Sequence, residues 1–177
     1  MNTGVVDAAP ATLRLFLALW PDPATRDAIA SWQRTWTWPE RAAPVAPGRL
    51  HLTLHFLGPV PAQELSALVA VLKGVPGEGF TLTLGVPEVW SNGVAVLRPE
   101  SAPAGLLRLH RNLAQCVAAF GLPLDPRPYR PHVTLARRAI GAQPPAAPCL
   151  QWEIARAYVL ARSLPGGAGY QVLERFG

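Results

Sequence analysis

Lysine is nearly missing from this chain: of its 16 basic residues, only Lys73 is not arginine. Charge of any sign is sparse, at 15% of residues, while half the residues are hydrophobic, which excludes a disordered tail. The formal charge of +5 and the pI near 10 point toward a polyanionic partner, nucleic acid or phosphate. No run of five or more basic residues forms a dedicated nucleic-acid arm, and a composition rich in Arg, Ala and Pro raises the charge by itself. Cysteine is scarce too. Cys116 and Cys149 are too few for a disulfide framework or a metal cluster, and Cys116 falls in an apolar helical pattern that suits a buried inert thiol. Long apolar runs are absent: Leu15 to Trp20 is far shorter than the ~20 residues a membrane helix needs. The opening MNTGVVDAAPA has neither the basic nor the apolar part of a secretory signal, so a cytoplasmic location with no membrane partner is expected. There is no H-E-x-x-H, no C-x-x-C, no Gly-rich phosphate loop and no nucleophile elbow, which argues against metal, nucleoside-triphosphate and Ser/Cys-nucleophile chemistry.

What is present is a repeat. At 177 residues the chain fits one domain, or two small lobes sharing one core. Residues 1–11 read as a flexible leader and 12–177 as a single domain of two lobes. The run Leu13 to Leu19 reads as a buried strand, and Asp22-Pro23 as the start of a helix reaching about Trp36. After a Pro-rich loop, RLHLTLHFL from Arg49 to Leu57 alternates in period two and predicts a half-buried strand. A helix is expected over Pro61 to Lys73, then strands over Phe80 to Leu84 and Val94 to Leu97. A long helix over Ala104 to Phe120 and a second Pro-rich loop lead to a strand over His132 to Arg137. Closing strands are expected at about Gln151 to Ser163 and Tyr170 to Phe176. His51 and His132 lie 81 residues apart, and the same offset carries the first strand and first helix onto the strand near 94 and the helix near 104. Strand, helix, Pro-rich loop and H-x-T-x strand therefore occur twice. The fold class expected is α+β and bilobal: two pseudo-two-fold lobes, each an antiparallel sheet backed by helices, with a cleft between them.

The repeated element carries the chemistry. In His51-Leu52-Thr53-Leu54 and His132-Val133-Thr134-Leu135, alternation puts each His and Thr on one face, about 7 Å apart, and the apolar residues on the other. Two imidazoles can act as acid and base near neutral pH. Two hydroxyls can donate to the oxygens of a small anion. One such motif would be incidental; two copies on equivalent elements leave a polar face that calls for an occupant.

These stretches, LRLFLALWPDP, RLHLTLHFLGPV and YRPHVTLARR, with the ending GYQVLERF, resemble the two-histidine (2H) phosphoesterase superfamily. Within it they are similar to the RNA 2′,3′-cyclic phosphodiesterases, the 2′-5′ RNA ligase or LigT-like family. The resemblance covers the chain from about residue 12 onward and implies a bilobal fold with no metal or other cofactor. It also implies hydrolysis of RNA 2′,3′-cyclic phosphates to 2′-phosphates, with reverse 2′-5′ ligation as a side activity. Carried over, His51 is the proton donor to the leaving 3′ oxygen, His132 the acceptor that activates water, and Thr53 and Thr134 hold the phosphate. His55 departs from the family, where Lys is common; it is read as a solvated surface residue, with the cleft rim as the other place for it.

Among other residues, Arg130 is a candidate phosphate ligand and shares the His132 face by parity, whereas Arg137 does not. Arg14 is read at the cleft or a sheet edge, Trp32 and Trp36 as core, Tyr129 as a packed loop aromatic or stacking platform, and His110 as a partly exposed helix residue. His51 and His55 would lie about 13 Å apart on a strand, too far to share a metal. The partners expected are RNA ends or small cyclic-phosphate nucleotides, bound by a monomer. Competing readings are a sibling enzyme acting on a cyclic ADP-ribose phosphate or 2′-5′ oligonucleotides, and a non-catalytic RNA-end binder. If the two-His reading holds, turnover of a 2′,3′-cyclic phosphate end persists undiminished in excess EDTA; loss of turnover on chelation, restored by a divalent metal, contradicts it.

Overall fold

The computed structural model describes residues 11–155 and 157–177; the leader expected over 1–11 thus lies, apart from Ala11, outside the described residues. The described residues form nine strands and three α-helices. The strands are β1 (Thr12–Leu19), β2 (Ala43–Pro44), β3 (Leu52–Pro61), β4 (Phe80–Val89), β5 (Ala95–Pro99), β6 (Val133–Arg137), β7 (Leu150–Ile154), β8 (Tyr158–Ser163) and β9 (Tyr170–Phe176). The helices are α1 (Pro23–Gln33), α2 (Leu65–Leu72) and α3 (Ala104–Ala119). The strands run β7-β4-β5-β6-β3-β1-β8-β9, all neighbours antiparallel, with β2 added beside β6. The two H-x-T-x strands meet at the centre, and their one register pair is Leu52 with Val133. The sheet is thus two four-stranded halves joined at a seam, the α+β arrangement of the sequence expectation, with the pseudo-two-fold passing between β3 and β6.

The helices lie on one face. Leu15, Leu17 and Leu19 of β1 and Leu52 and Leu54 of β3 join Ile29 of α1, Leu68 of α2 and Leu106, Leu109 and Leu113 of α3 in one apolar core. The other face bears a small cluster of Phe16, Ala18, Val159 and Ala161. α1 starts where Asp22 accepts the Thr25 N–H at 3.0 Å and Pro23 occupies the first turn. It stops at Gln33 rather than Trp36, because the Thr35 hydroxyl takes the Trp32 carbonyl at 2.7 Å and the chain tightens there. The helices then cross the seam: α1, attached to β1, packs against β7, and α3, attached to β5, packs against β3.

Three expectations on strands change. The stretch 151–163 is two strands, β7 pairing β4 and β8 pairing β1, at opposite ends of the sheet. His51 and His132 immediately precede β3 and β6 instead of lying within them. Each motif strand also carries a β-bulge one residue after its Thr, at Leu54 and Leu135, as the pairs Thr53–Ala18 then His55–Leu17, and Thr134–Val96 then Ala136–Ala95, require. A bulge places two residues opposite one and reverses the alternation beyond it.

The seam is apolar and tight, with Leu52 and Val133 both 0% exposed. Leu52→Ala should cost about 2–5 kcal/mol, read as a lower urea midpoint at unchanged slope. A loss below about 1 kcal/mol would mean that the seam is not a packing constraint.

Candidate active site

Above the seam lies a cavity of about 290 Å³ lined by His51, Thr53, His132 and Thr134, with Phe16, Phe56, Arg49, Trp90, Arg137 and Tyr170. The four motif residues named from sequence are thus brought together. Each histidine is oriented by the same device. His51 Nδ1 meets the Arg49 carbonyl at 2.7 Å and His132 Nδ1 meets the Arg130 carbonyl at 2.6 Å. A carbonyl only accepts, so each Nδ1 carries hydrogen and each Nε2 is left to exchange a proton. The carbonyls come from residues two before each His, equivalent in the repeat.

The surroundings of the two rings differ. His51 stacks almost parallel to Trp20, at 5.3 Å and 9°, with Phe16 and Tyr170 each 5.1 Å away. His132 has Trp90 at 4.6 Å, edge-on. Burial lowers the pKa of both below the usual 6.5, the backbone carbonyl bonds offset part of this, and each ring feels nearby cations. For His51 these are His132 and Arg137; for His132 they are Arg130, Arg137 and Arg98. The aromatic wall of Phe16, Trp20, Trp90 and Tyr170 was not singled out from sequence. Phe16 could have been found by alternation in β1, but Trp90 stands at a turn with no periodic signal.

The bulges settle the remaining candidates. Beyond Leu135 the alternation reverses, so Arg137 lines the cavity against the parity expectation. Beyond Leu54, Phe56 faces the cavity and is 60% exposed, while His55 turns to the helix side and is 8% exposed. His55 is therefore neither solvated nor at the rim. Phe56 and Arg137 occupy the same repeat position, so the pseudo-symmetric cleft offers a ring on one side and a cation on the other. Arg130 stands outside the central cavity: its guanidinium lies 4.7 Å over Trp90, contacts Glu88 at 3.5 Å and lines a flanking cavity with Arg98. Arg14 is exposed and absent from the cavity lining. Trp36 is core, as expected, and Trp32 packs beside it. His110 is partly exposed on α3, as expected, and it also stacks on His55 and Tyr129. Cys116 is half-buried with its thiol pKa raised by burial, and Cys149 is exposed. Among the described residues, no helix is long and apolar enough to cross a membrane.

The family described as the 2′-5′ RNA ligase superfamily matches residues 20–162. The RNA 2′,3′-cyclic phosphodiesterase of Escherichia coli strain K12 is 37% identical over 143 residues, spanning 80% of this chain and 81% of that protein. The protein of the same description from Thermus thermophilus is 33% identical, over 93% of this chain and 89% of its own. Among solved structures, a phosphoesterase superposes with a TM-score of 0.84 at 34% identity, covering 93% of this chain and 97% of that one. E. coli LigT complexed with 3′-AMP gives a TM-score of 0.83 at 33% identity, with the same coverage.

Buried His55 and partly buried His110 make folding pH-dependent. Burial, with His55 beside it, pushes His110 down to about 4 from the usual 6.5, and burial lowers His55 as well. The unfolded chain therefore binds protons that the folded one refuses, so this stability is whole above pH 6.5 and drains as pH falls toward about 4. Thermal melts across that window should show Tm falling with pH, and His110→Phe should flatten the slope. An equally steep slope in the variant would assign the acid sensitivity elsewhere.

Proposed function

The chain belongs to the 2′-5′ RNA ligase superfamily, and from that premise we propose that it hydrolyses RNA 2′,3′-cyclic phosphate ends to 2′-phosphates through His51 and His132. The observation that carries the reading is the paired Nδ1-to-carbonyl bonding, which leaves two Nε2 atoms for one cavity. Hydrolysis needs both a base and an acid. In the proposed step, Nε2 of His132 takes a proton from water as its oxygen bonds to phosphorus. The phosphorus–O3′ bond breaks, and Nε2–H of His51 protonates the leaving 3′ oxygen. The product is a 2′-phosphate with a free 3′-hydroxyl. The Thr53 and Thr134 hydroxyls donate to the non-bridging oxygens, and the Arg137 guanidinium offsets their charge. Run in the same direction with a 5′-hydroxyl in place of water, the step bonds the 5′ oxygen to phosphorus as the phosphorus–O3′ bond breaks and so joins two RNA ends, which is 2′-5′ ligation.

The division of roles has physical support. Burial, and after it the charges of Arg130, Arg137 and Arg98, favour the neutral form of His132, as a base requires. The aromatic enclosure of His51 adjoins Phe56, a ring that a nucleobase can stack on. Arg130 is assigned to phosphate one step removed, at the flanking cavity, since its guanidinium is held by Trp90 and Glu88. Both motifs lie in one chain, so a monomer suffices, with 12–177 acting as one catalytic unit. An acid and a base aimed at one cavity favour an enzyme over an RNA-end binder.

The assay is a short RNA ending in a 2′,3′-cyclic phosphate, with 2′- and 3′-phosphate products resolved. A 2′-phosphate product is expected, and His51→Ala or His132→Ala should each lower turnover by at least about 10²-fold with the fold retained. Activity kept in either variant, or a 3′-phosphate product, would overturn the mechanism.

A further inference from the structure

The two motifs belong to different halves of the sheet and share a single backbone pair. Among the described residues, the polar side chains that are buried are Gln33 and His55. Each is bonded at the bulge of a motif. Gln33, at the end of α1, donates from Nε2 to the Leu135 carbonyl at 2.7 Å and to the Val45 carbonyl at 2.9 Å. Leu135 is the bulged residue of the second motif, and its carbonyl also accepts the Val45 N–H at 2.7 Å. His55 follows the bulged Leu54 of the first motif and donates from Nε2 to the His110 carbonyl of α3 at 2.8 Å.

The second brace continues through rings. His110 lies between His55, at 4.0 Å and 24°, and Tyr129, at 3.8 Å and 17°. Tyr129 stands three residues before His132, and its hydroxyl reaches the Thr53 carbonyl at 3.5 Å. That distance is long for a hydrogen bond, so the stacked rings carry the contact. Each helix is chained to one half and bonded to the motif strand of the other: α1 follows β1 and holds β6, and α3 follows β5 and holds β3. A helix needs only apolar contacts to pack on a sheet, so a buried amide and a buried imidazole at these two places are specific devices.

We propose that Gln33 and the His55–His110–Tyr129 ring stack are positioning residues, two cross-braces that set the separation of His51 and His132. The inference rests on the two-histidine reading above. A shift of about 1 Å between acid and base can cost on the order of 10²-fold in rate while substrate binding is kept. Gln33→Met should therefore lower kcat by at least about tenfold with KM within about twofold, and Tyr129→Leu should do the same. Tyr129→Phe, which keeps the ring, should restore kcat to within about twofold of the wild type. A role in folding alone would lower Tm and leave kcat per folded molecule unchanged, and that result in Tyr129→Leu would overturn the proposal. Tyr129 is half-buried on a loop, so its variants decide the matter if Gln33→Met does not fold.

A second readout is independent of turnover. Inorganic phosphate titrated into the wild type, followed by imidazole NMR, should shift His51 and His132 at one common concentration. In Tyr129→Leu the two rings should respond at different concentrations. No turnover in the wild type, together with this uncoupling in Tyr129→Leu, would remove the hydrolase reading and keep the braces. A wild type with turnover, and variants matching it in both kcat and coupled shifts, would remove the braces and keep the reading.

Discussion

The two halves of the sheet meet in this protein through one register pair, Leu52 with Val133, and the geometry of the proposed site depends on that contact. Antiparallel strands that paired fully would bury their ladder and leave no opening. Strands that did not pair would leave the two histidines unrelated. A single pair followed by divergence does what the chemistry needs: His51 and His132 come from opposite directions to one place, and a cavity opens above them. The seam is dry, with both residues fully buried, so its position is set by close packing as well as by hydrogen bonds.

The bulges at Leu54 and Leu135 are the second constraint, and they act identically in each half. Each lets a strand present His and Thr to the cavity, then turns the following residue to the core and the next back to the cavity. The same geometry has been given different residues. At the last position the first half presents Phe56 and the second Arg137, while behind it the first half buries His55 and the second Ala136. Pseudo-symmetry supplies two equivalent imidazoles, and divergence makes them unequal. One is enclosed by Phe16, Trp20 and Tyr170, the other has Trp90 edge-on and feels the charges of Arg130, Arg137 and Arg98.

Burying polar groups costs stability unless every hydrogen bond is made. Gln33 has both of its acceptors and His55 has one, all of them backbone carbonyls. The lowered pKa of His55 and His110 is the electrostatic counterpart of that burial: the stack is built for neutral rings. Stability in acid is thereby tied to the same residues that join the helices to the motif strands.

Much of this was legible in one dimension. The alternation of H-x-T-x, repeated at an offset of 81 residues, was enough to name His51, Thr53, His132 and Thr134 and to infer two related halves, because period-two patterning and duplication are properties of sequence. The same alternation misplaced His55 and Arg137. A bulge is decided by how a strand pairs with its neighbour, and no local pattern in Leu54 or Leu135 records it. The stretch 151–163 likewise reads as one apolar run, and only pairing with β4 on one side and β1 on the other divides it. The aromatic wall around His51 and the cross-braces join residues far apart in the chain. Local preference therefore determined which elements form and which residues are the candidates for the chemistry. Long-range strand pairing and packing decided which way those residues face and what holds the two halves of the site together.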